Sequence, residues 1–276
     1  MDALTRRVAF QGERGAFSEE AIAQQFGDTV EPAPFPTLVG VFESVERRRT
    51  DSAVVPIENS LEGSINETYD LLLTSMLKIT GEIKLRIRQC LISKPSSRIK
   101  DIRIVYSHPQ ALAQCRKTLN RLGLELRPFY DTAGSVKFVA GSSDGSLAAV
   151  ASSRAASIYR SKILLKDIAD SKTNFTRFLI LRREPLKLFS GPGKSSLIFS
   201  AEHRPRALYE ALGAFANQEI NLTKIESRPT KHTPWEYYFY VDFEGTANEK
   251  SVKEALTALR THTKSVKFLG SYPLGP

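Results

Sequence analysis

Short apolar runs, each ending in a polar turn that opens a helix, recur along most of this chain. Val8-Ala9-Phe10, Ala53-Val54-Val55, Ile102 to Tyr106 and Leu147 to Ala151 read as buried strands. Helix signals follow them: Ser18 as a cap ahead of Glu19 and Glu20, Pro109 at a first helical position, and Ser152-Ser153. Pro56 is expected to stop the second strand. Ile83, Leu85 and Ile87 alternate with Lys84, Arg86 and Arg88, which predicts a half-buried strand. Strand and helix in alternation require an α/β sheet with mostly parallel strands. In such sheets ligands bind at the carboxyl ends of the strands, in the loops that start helices.

Pro185, Gly191, Pro192 and Gly193 interrupt this pattern. They divide the chain into residues 1–187 and 194–276. The second part reads differently: strand 196–200, helix 206–217, strands 220–226 and 236–243, helix 248–260 and strand 265–269. That order, βαββαβ, is the ferredoxin-like arrangement. It hosts many functions, so the polar loops must decide.

A length of 276 residues suits two domains. No apolar run approaches a membrane span, and the start Met1 to Arg7 lacks the apolar core of a signal peptide. Two cysteines, Cys90 and Cys115, are too few for a disulfide framework, which points to a reducing, cytoplasmic compartment. Lys and Arg number 39 against 30 Asp and Glu, a net of +9. Of that excess, +7 belongs to residues 1–193, with 28 basic against 21 acidic residues. Such a balance suits nucleic acid, an anionic membrane face or an anionic small molecule. No recognition helix or basic stripe interleaved with aromatics appears, which disfavours nucleic acid. Nothing reads as a membrane element, a metal-ligand cluster or a cofactor-binding motif.

Each polar loop has a plain and a functional reading. Gly12, Gly15 and Ser18 form either a tight turn before a capped helix or an anion site at that helix start. Pro56 to Ser64 concentrates Glu58, Asn59, Ser60, Glu62 and Ser64 at a strand end, where folding needs few polar groups. Ser107-His108-Pro109-Gln110 opens a helix on which Gln110 and Gln114 share a face. His108 has no metal partner nearby, and Cys115 suits the core better than nucleophilic chemistry. Asp131 to Ser135 is another strand-to-helix turn. Thr176-Arg177-Phe178 leads into an apolar strand, as a β-branched residue beside a surface cation or as part of a site. Glu226 and Arg228 share one strand face, which alone suits an edge ion pair.

Taken in order along the chain, these motifs resemble prephenate dehydratases, including the similar arogenate dehydratases. The resemblance rests on Gly12, Gly15 and Ser18, on Pro56 to Ser60, on Ser107 to Gln110 with Gln114 and Cys115, and on Asp131 to Gly134. It continues through Thr176 to Phe178, Glu226 to Pro229 and the terminal Leu-Gly-Ser-Tyr-Pro. It implies a two-lobed, periplasmic-binding-protein-like catalytic domain over residues 1–187. It also implies a C-terminal ACT domain over 194–276, paired with a second copy as a homodimer or homotetramer and binding L-phenylalanine. The implied reaction removes water and carbon dioxide from prephenate, without metal or cofactor.

By the same resemblance Thr176 is catalytic, through a hydrogen bond or proton to the leaving oxygen, and Glu58 is a second candidate only if its pKa is raised. Asn59, Ser60, Ser64, Ser107, Gln110, Gln114, Thr132, Ala133, Gly134 and Phe178 would position the substrate, and Arg177 would anchor a carboxylate. Asn221, Leu222, Thr223, Glu226, Ser227 and Arg228 would serve the effector. Arg206 stands where the family has Gly before Ala-Leu, which implies weaker or shifted phenylalanine contacts. Arg160 follows Tyr159 in place of the common Gly. Two other readings stay open: arogenate as the substrate, or a non-catalytic amino-acid sensor.

Overall fold

The computed structural model describes residues 6–187, 189, 191–230, 233 and 235–275. Met1–Thr5 of the N-terminal reading, and Leu188 and Ser190 of the boundary stretch, lie outside them.

The chain begins β1 (Arg6–Gln11), α1 (Phe17–Phe26), β2 (Val30–Phe35), α2 (Leu38–Glu46), β3 (Ser52–Asn59) and β4 (Gly63–Ser64). It continues through α3 (Asn66–Thr74), β5 (Lys78–Arg86), β6 (Cys90–Ser93), β7 (Ile104–Ser107), α4 (Pro109–Gln114) and α5 (Arg116–Arg121). Next come β8 (Glu125–Pro128), α6 (Thr132–Gly141), β9 (Leu147–Ala151), α7 (Ser153–Ile158), β10 (Lys162–Leu165) and β11 (Phe175–Arg182). The last part is β12 (Gly193–Ser200), α8 (Ala207–Ala216), β13 (Leu222–Pro229), β14 (Tyr237–Glu244), α9 (Lys250–Thr261) and β15 (Ser265–Pro273).

These strands form three sheets: β2-β1-β3-β11-β5 with β4 beside β3, β10-β6-β9-β7-β8, and β13-β14-β12-β15. The first two are the lobes of an α/β structure. β1 pairs parallel with β2 and β3, and β7 pairs parallel with β8 and β9. β6 is antiparallel to both β9 and β10, so the second sheet is mixed rather than mostly parallel. β6 arrives from β5 through residues 87–89, with no helical crossover to bring the chain back in the same direction. The third sheet is antiparallel throughout and carries the βαββαβ order.

Proline is where reading and structure part. β3 continues through Pro56 to Asn59. Its pairing with β1 covers only Ser52 and Ala53, so Pro56 removes no bond on that side. β2 holds Pro32 and Pro34 and lies at the sheet edge, where a missing N–H is tolerated.

The described residues divide into two compact units: those up to Ile65 with Ile83–Phe178, and Asn66–Glu82 with those from Leu179 on. A single cut between 187 and 194 does not divide the chain this way, because 66–82 groups with the C-terminal sheet.

Within the first unit, Gly15 sits at φ +91°, and a β-carbon there would fall 2.6 Å from Ala155 Cα on α7. Its carbonyl accepts from the Ser152 hydroxyl at 2.7 Å, and Arg154 reaches Glu19 at 3.1 Å. The lobes touch here, which is why glycine is needed. Ser18 is not the cap of α1: Ala16 holds that position, and the Glu19 carboxylate accepts the Gly15 N–H.

Within the second unit, α3 is held by the C-terminal sheet. Tyr69 meets Tyr240 edge-on at 4.9 Å, and the Tyr240 hydroxyl donates to the Tyr69 carbonyl at 2.7 Å. Lys267 donates to the carbonyls of Leu72, Leu73 and Ser75, closing a helix end with no basic residue in its own last turn. Arg228 makes a forked ion pair to Asp70 at 3.2–3.3 Å. Lys194 is buried with Glu82 at 3.1 Å.

Candidate active site

A cavity of about 600 Å³ opens in the first unit. The loops after β1, β3, β7 and β8 supply its walls, at the strand ends where an α/β sheet offers helix starts. Asn59, Gln110, Gln114, Thr132, Thr176 and Phe178 line it.

Arg177 does not line it. Thr176 and Phe178 face the cavity from β11, and alternate residues of a strand point to opposite sides. Arg177 pairs instead with Glu58 at 3.1 Å, and Glu58 is also absent from the lining. The expected carboxylate anchor and second catalytic candidate thus hold each other away from the cavity.

Five further expected contacts are absent from the lining. The Ser60 hydroxyl donates to the Thr173 carbonyl and accepts the Phe175 N–H, pinning its loop to β11. Ser64 pairs with Glu58 across β4 and β3. Ser107 is fully buried and donates to the Val150 carbonyl. Ala133 is fully buried, and the Gly134 N–H donates to the Asp131 carboxylate at 2.7 Å.

An amide network connects the rest. Asn59 Nδ2 donates to Thr176 Oγ1 at 2.9 Å and to Asn174 Oδ1 at 2.8 Å. Asn174 Nδ2 donates to Gln114 Oε1 at 2.9 Å, and Gln114 Nε2 points to Glu62 at 3.4 Å. Gln89 lines the cavity, donates weakly to Gln114 Oε1 at 3.5 Å, and keeps its own Oε1 buried without a hydrogen bond among the described residues. Neither Asn174 nor Gln89 was anticipated. Their importance depends on partners 60 or more positions away for Asn174 and 25 for Gln89, which no local pattern displays.

The described lining contains no Lys or Arg and three carboxylates, Glu13, Glu62 and Asp131. Lys137 and the Tyr130 hydroxyl hold Glu13 at 3.0 and 3.2 Å. Asp131 caps α6, and burial pushes its carboxyl up. Ala16, Phe17 and Ser18 bring the start of α1 to the cavity, and no side chain caps it. The start of α1 therefore offers helix N–H groups to this cavity. Burial pushes the Cys115 thiol up to about 12, unsuited to a nucleophile.

In the second unit the residues read as effector-facing run along β13, an edge strand. Asn221, just before it, donates to Glu244, Thr223 to the Asp242 carbonyl, and Glu226 lies 3.8 Å from Lys224. Leu222 and Ser227 lie on β13 itself, and Arg228 is engaged by Asp70. None of them lines the smaller cavity of about 250 Å³ in this unit, which is bounded by His203, Arg204, Leu208 and Trp235. Arg206 sits at φ +70°, a left-handed conformation that glycine holds without strain.

The family model for prephenate dehydratase matches residues 8–186, and that for the ACT domain matches 195–261. The chain belongs to the prephenate dehydratase family. It is an enzyme of that family, whose members are lyases. It is 46% identical to arogenate dehydratase/prephenate dehydratase 2, chloroplastic, of Arabidopsis thaliana, over 97% of this chain and 73% of that protein. A solved prephenate dehydratase from Arthrobacter aurescens in complex with L-Phe superposes with TM-score 0.89 at 32% identity, covering 96% of this chain and 89% of that one. GqqA, described as a novel type of quorum quenching acylase, superposes with TM-score 0.91 at 34% identity, covering 98% and 99%. No helix of the described residues is long and apolar enough to cross a membrane.

Proposed function

We propose that this chain converts prephenate to phenylpyruvate at the cavity of the first unit, and that L-phenylalanine regulates it through the C-terminal domain. The observation that carries the reading is the Asn59–Thr176 hydrogen bond at the cavity wall. Thr176 Oγ1 accepts from Asn59, and no other described residue takes its own hydrogen, which is therefore available to a ligand. Prephenate carries a ring hydroxyl opposite a ring carboxylate. The carbon–oxygen bond breaks and the hydroxyl leaves as water with one added proton. The carbon–carbon bond to the carboxylate breaks to give carbon dioxide, and its electron pair completes the aromatic ring. Aromatisation drives the reaction, so the site must orient the substrate and stabilise charge on the departing oxygen. A Thr hydroxyl is a weak acid, which suits it to donating a hydrogen bond as that charge develops. The uncapped start of α1 can receive a substrate carboxylate.

Turnover of purified protein on prephenate, with and without L-phenylalanine, tests the reading. Thr176→Ala is expected to lose roughly 10²–10⁴-fold in kcat with its melting temperature unchanged. Near wild-type turnover would remove Thr176 from the mechanism.

One observation favours a second reading. Three carboxylates and no Lys or Arg in the described lining suit the ammonium of arogenate better than the keto group of prephenate. The ratio of kcat/KM on the two substrates decides between them. Two buried free thiols suit a reducing compartment such as the cytoplasm. Pairing with a second copy through the ACT domain, as a dimer or tetramer, completes the proposal.

A further inference from the structure

Asn174 is 1% exposed and lies outside the cavity lining, yet it is bonded to two amides that form the wall. The direction of each bond follows from one fixed point. Asn59 Oδ1 accepts the N–H groups of Leu61 and Glu62 at 2.9 and 3.0 Å. A backbone N–H can only donate, so the other end of Asn59 is its NH2. That group donates to Asn174 Oδ1 and Thr176 Oγ1. Asn174 must then present its own NH2 on the far side, where it meets Gln114 Oε1. Gln114 is left with its NH2 as the end that can donate elsewhere, toward Glu62.

We propose that Asn174 is a positioning residue for the dehydration. It holds Asn59 in place and passes that polarity on to Gln114, so that Thr176 accepts from the protein and donates to the leaving oxygen. The inference rests on the dehydratase reading above. Its physical basis is that a buried amide with both ends bonded cannot flip without leaving two partners unsatisfied.

Two variants separate positioning from simple structural support. Asn174→Ala removes both bonds, and a folded variant is expected to lose on the order of 10²-fold in kcat, the scale of a misplaced catalytic group. Asn174→Asp keeps an acceptor for Asn59 but sets an acceptor against Gln114 Oε1. It is expected to hold kcat within roughly threefold while KM rises about tenfold. A residue that only supports the fold would lower the active fraction of both variants, reducing kcat without this split. A folded Ala variant with kcat within roughly threefold of wild type overturns the proposal, as does an equal kcat loss in both variants without a KM change. If the Ala variant does not fold, the Asp variant decides by the same split. Should the wild type turn over neither prephenate nor arogenate, the dehydratase reading falls. A crystal structure of Asn174→Ala then judges the proposal by geometry: a displaced Asn59 supports it, and an unmoved Asn59–Thr176 bond overturns it.

Discussion

Asp131 shows how one residue can hold a helix start and line a cavity at once. Its carboxylate accepts the Gly134 N–H at the start of α6, and burial raises its pKa. Asparagine caps a helix start as well as aspartate does, and it carries no charge to desolvate. Asp131→Asn is therefore expected to melt at or above the wild-type temperature. If arogenate is the substrate, the variant should lose roughly tenfold in kcat/KM on arogenate and little on prephenate. Equal losses on both would deny Asp131 any part in reading the ammonium. Thr176, Asn59 and Gln114 were legible in the sequence because their motifs stand in a fixed order. That Arg177 stands outside the lining follows from the strand itself: a residue flanked by two cavity-facing neighbours faces away. Gln89 and Asn174 were not legible, since their partners are chosen by the tertiary fold.

At the scale of elements, the strand ends and helix starts were legible because apolar runs, Pro109 and Ser152 mark them locally. β2 was missed and β3 cut short because proline argues against a strand unless its position in the sheet is known. The loop between β1 and α1 is constrained by the opposite lobe rather than by its own turn. Gly15→Ala must strain a left-handed residue and push against Ala155. It is expected to cost on the order of 2–4 kcal/mol, seen as a lower midpoint in urea unfolding. An unchanged midpoint would show that the lobes can part there at no cost.

For the whole molecule, the excess positive charge lies outside the described cavity lining. Arg47, Arg48 and Arg49 are exposed, and the described cavity lining has no Lys or Arg, so the net charge acts at most as a weak, salt-screened field. The proposed effector control belongs at this scale too. Arg228→Ala removes the pair to Asp70 along with any effector contact, whereas Asp70→Asn removes only the pair. Inhibition by L-phenylalanine is expected to weaken about tenfold in Arg228→Ala, with activity in its absence retained, if the guanidinium meets the effector carboxylate. The same weakening in Asp70→Asn would instead assign Arg228 to holding α3.

The grouping of 66–82 with the C-terminal sheet limits how modular this chain can be. The polypeptide passes between the two units three times, at 65/66, 82/83 and 178/179. Removing everything after residue 187 would leave α3 behind without Tyr240 or Lys267, and would strand the Glu82 carboxylate without Lys194. An uncompensated buried charge alone costs about 3–5 kcal/mol. The 1–187 fragment is therefore expected to be insoluble or unfolded rather than unregulated, as sedimentation and circular dichroism would show; a soluble, active fragment would prove that packing dispensable. A C-terminal unit that takes in residues 66–82 cannot be exchanged as a cassette. Shuffling it between enzymes requires moving residues 66–82 along with it.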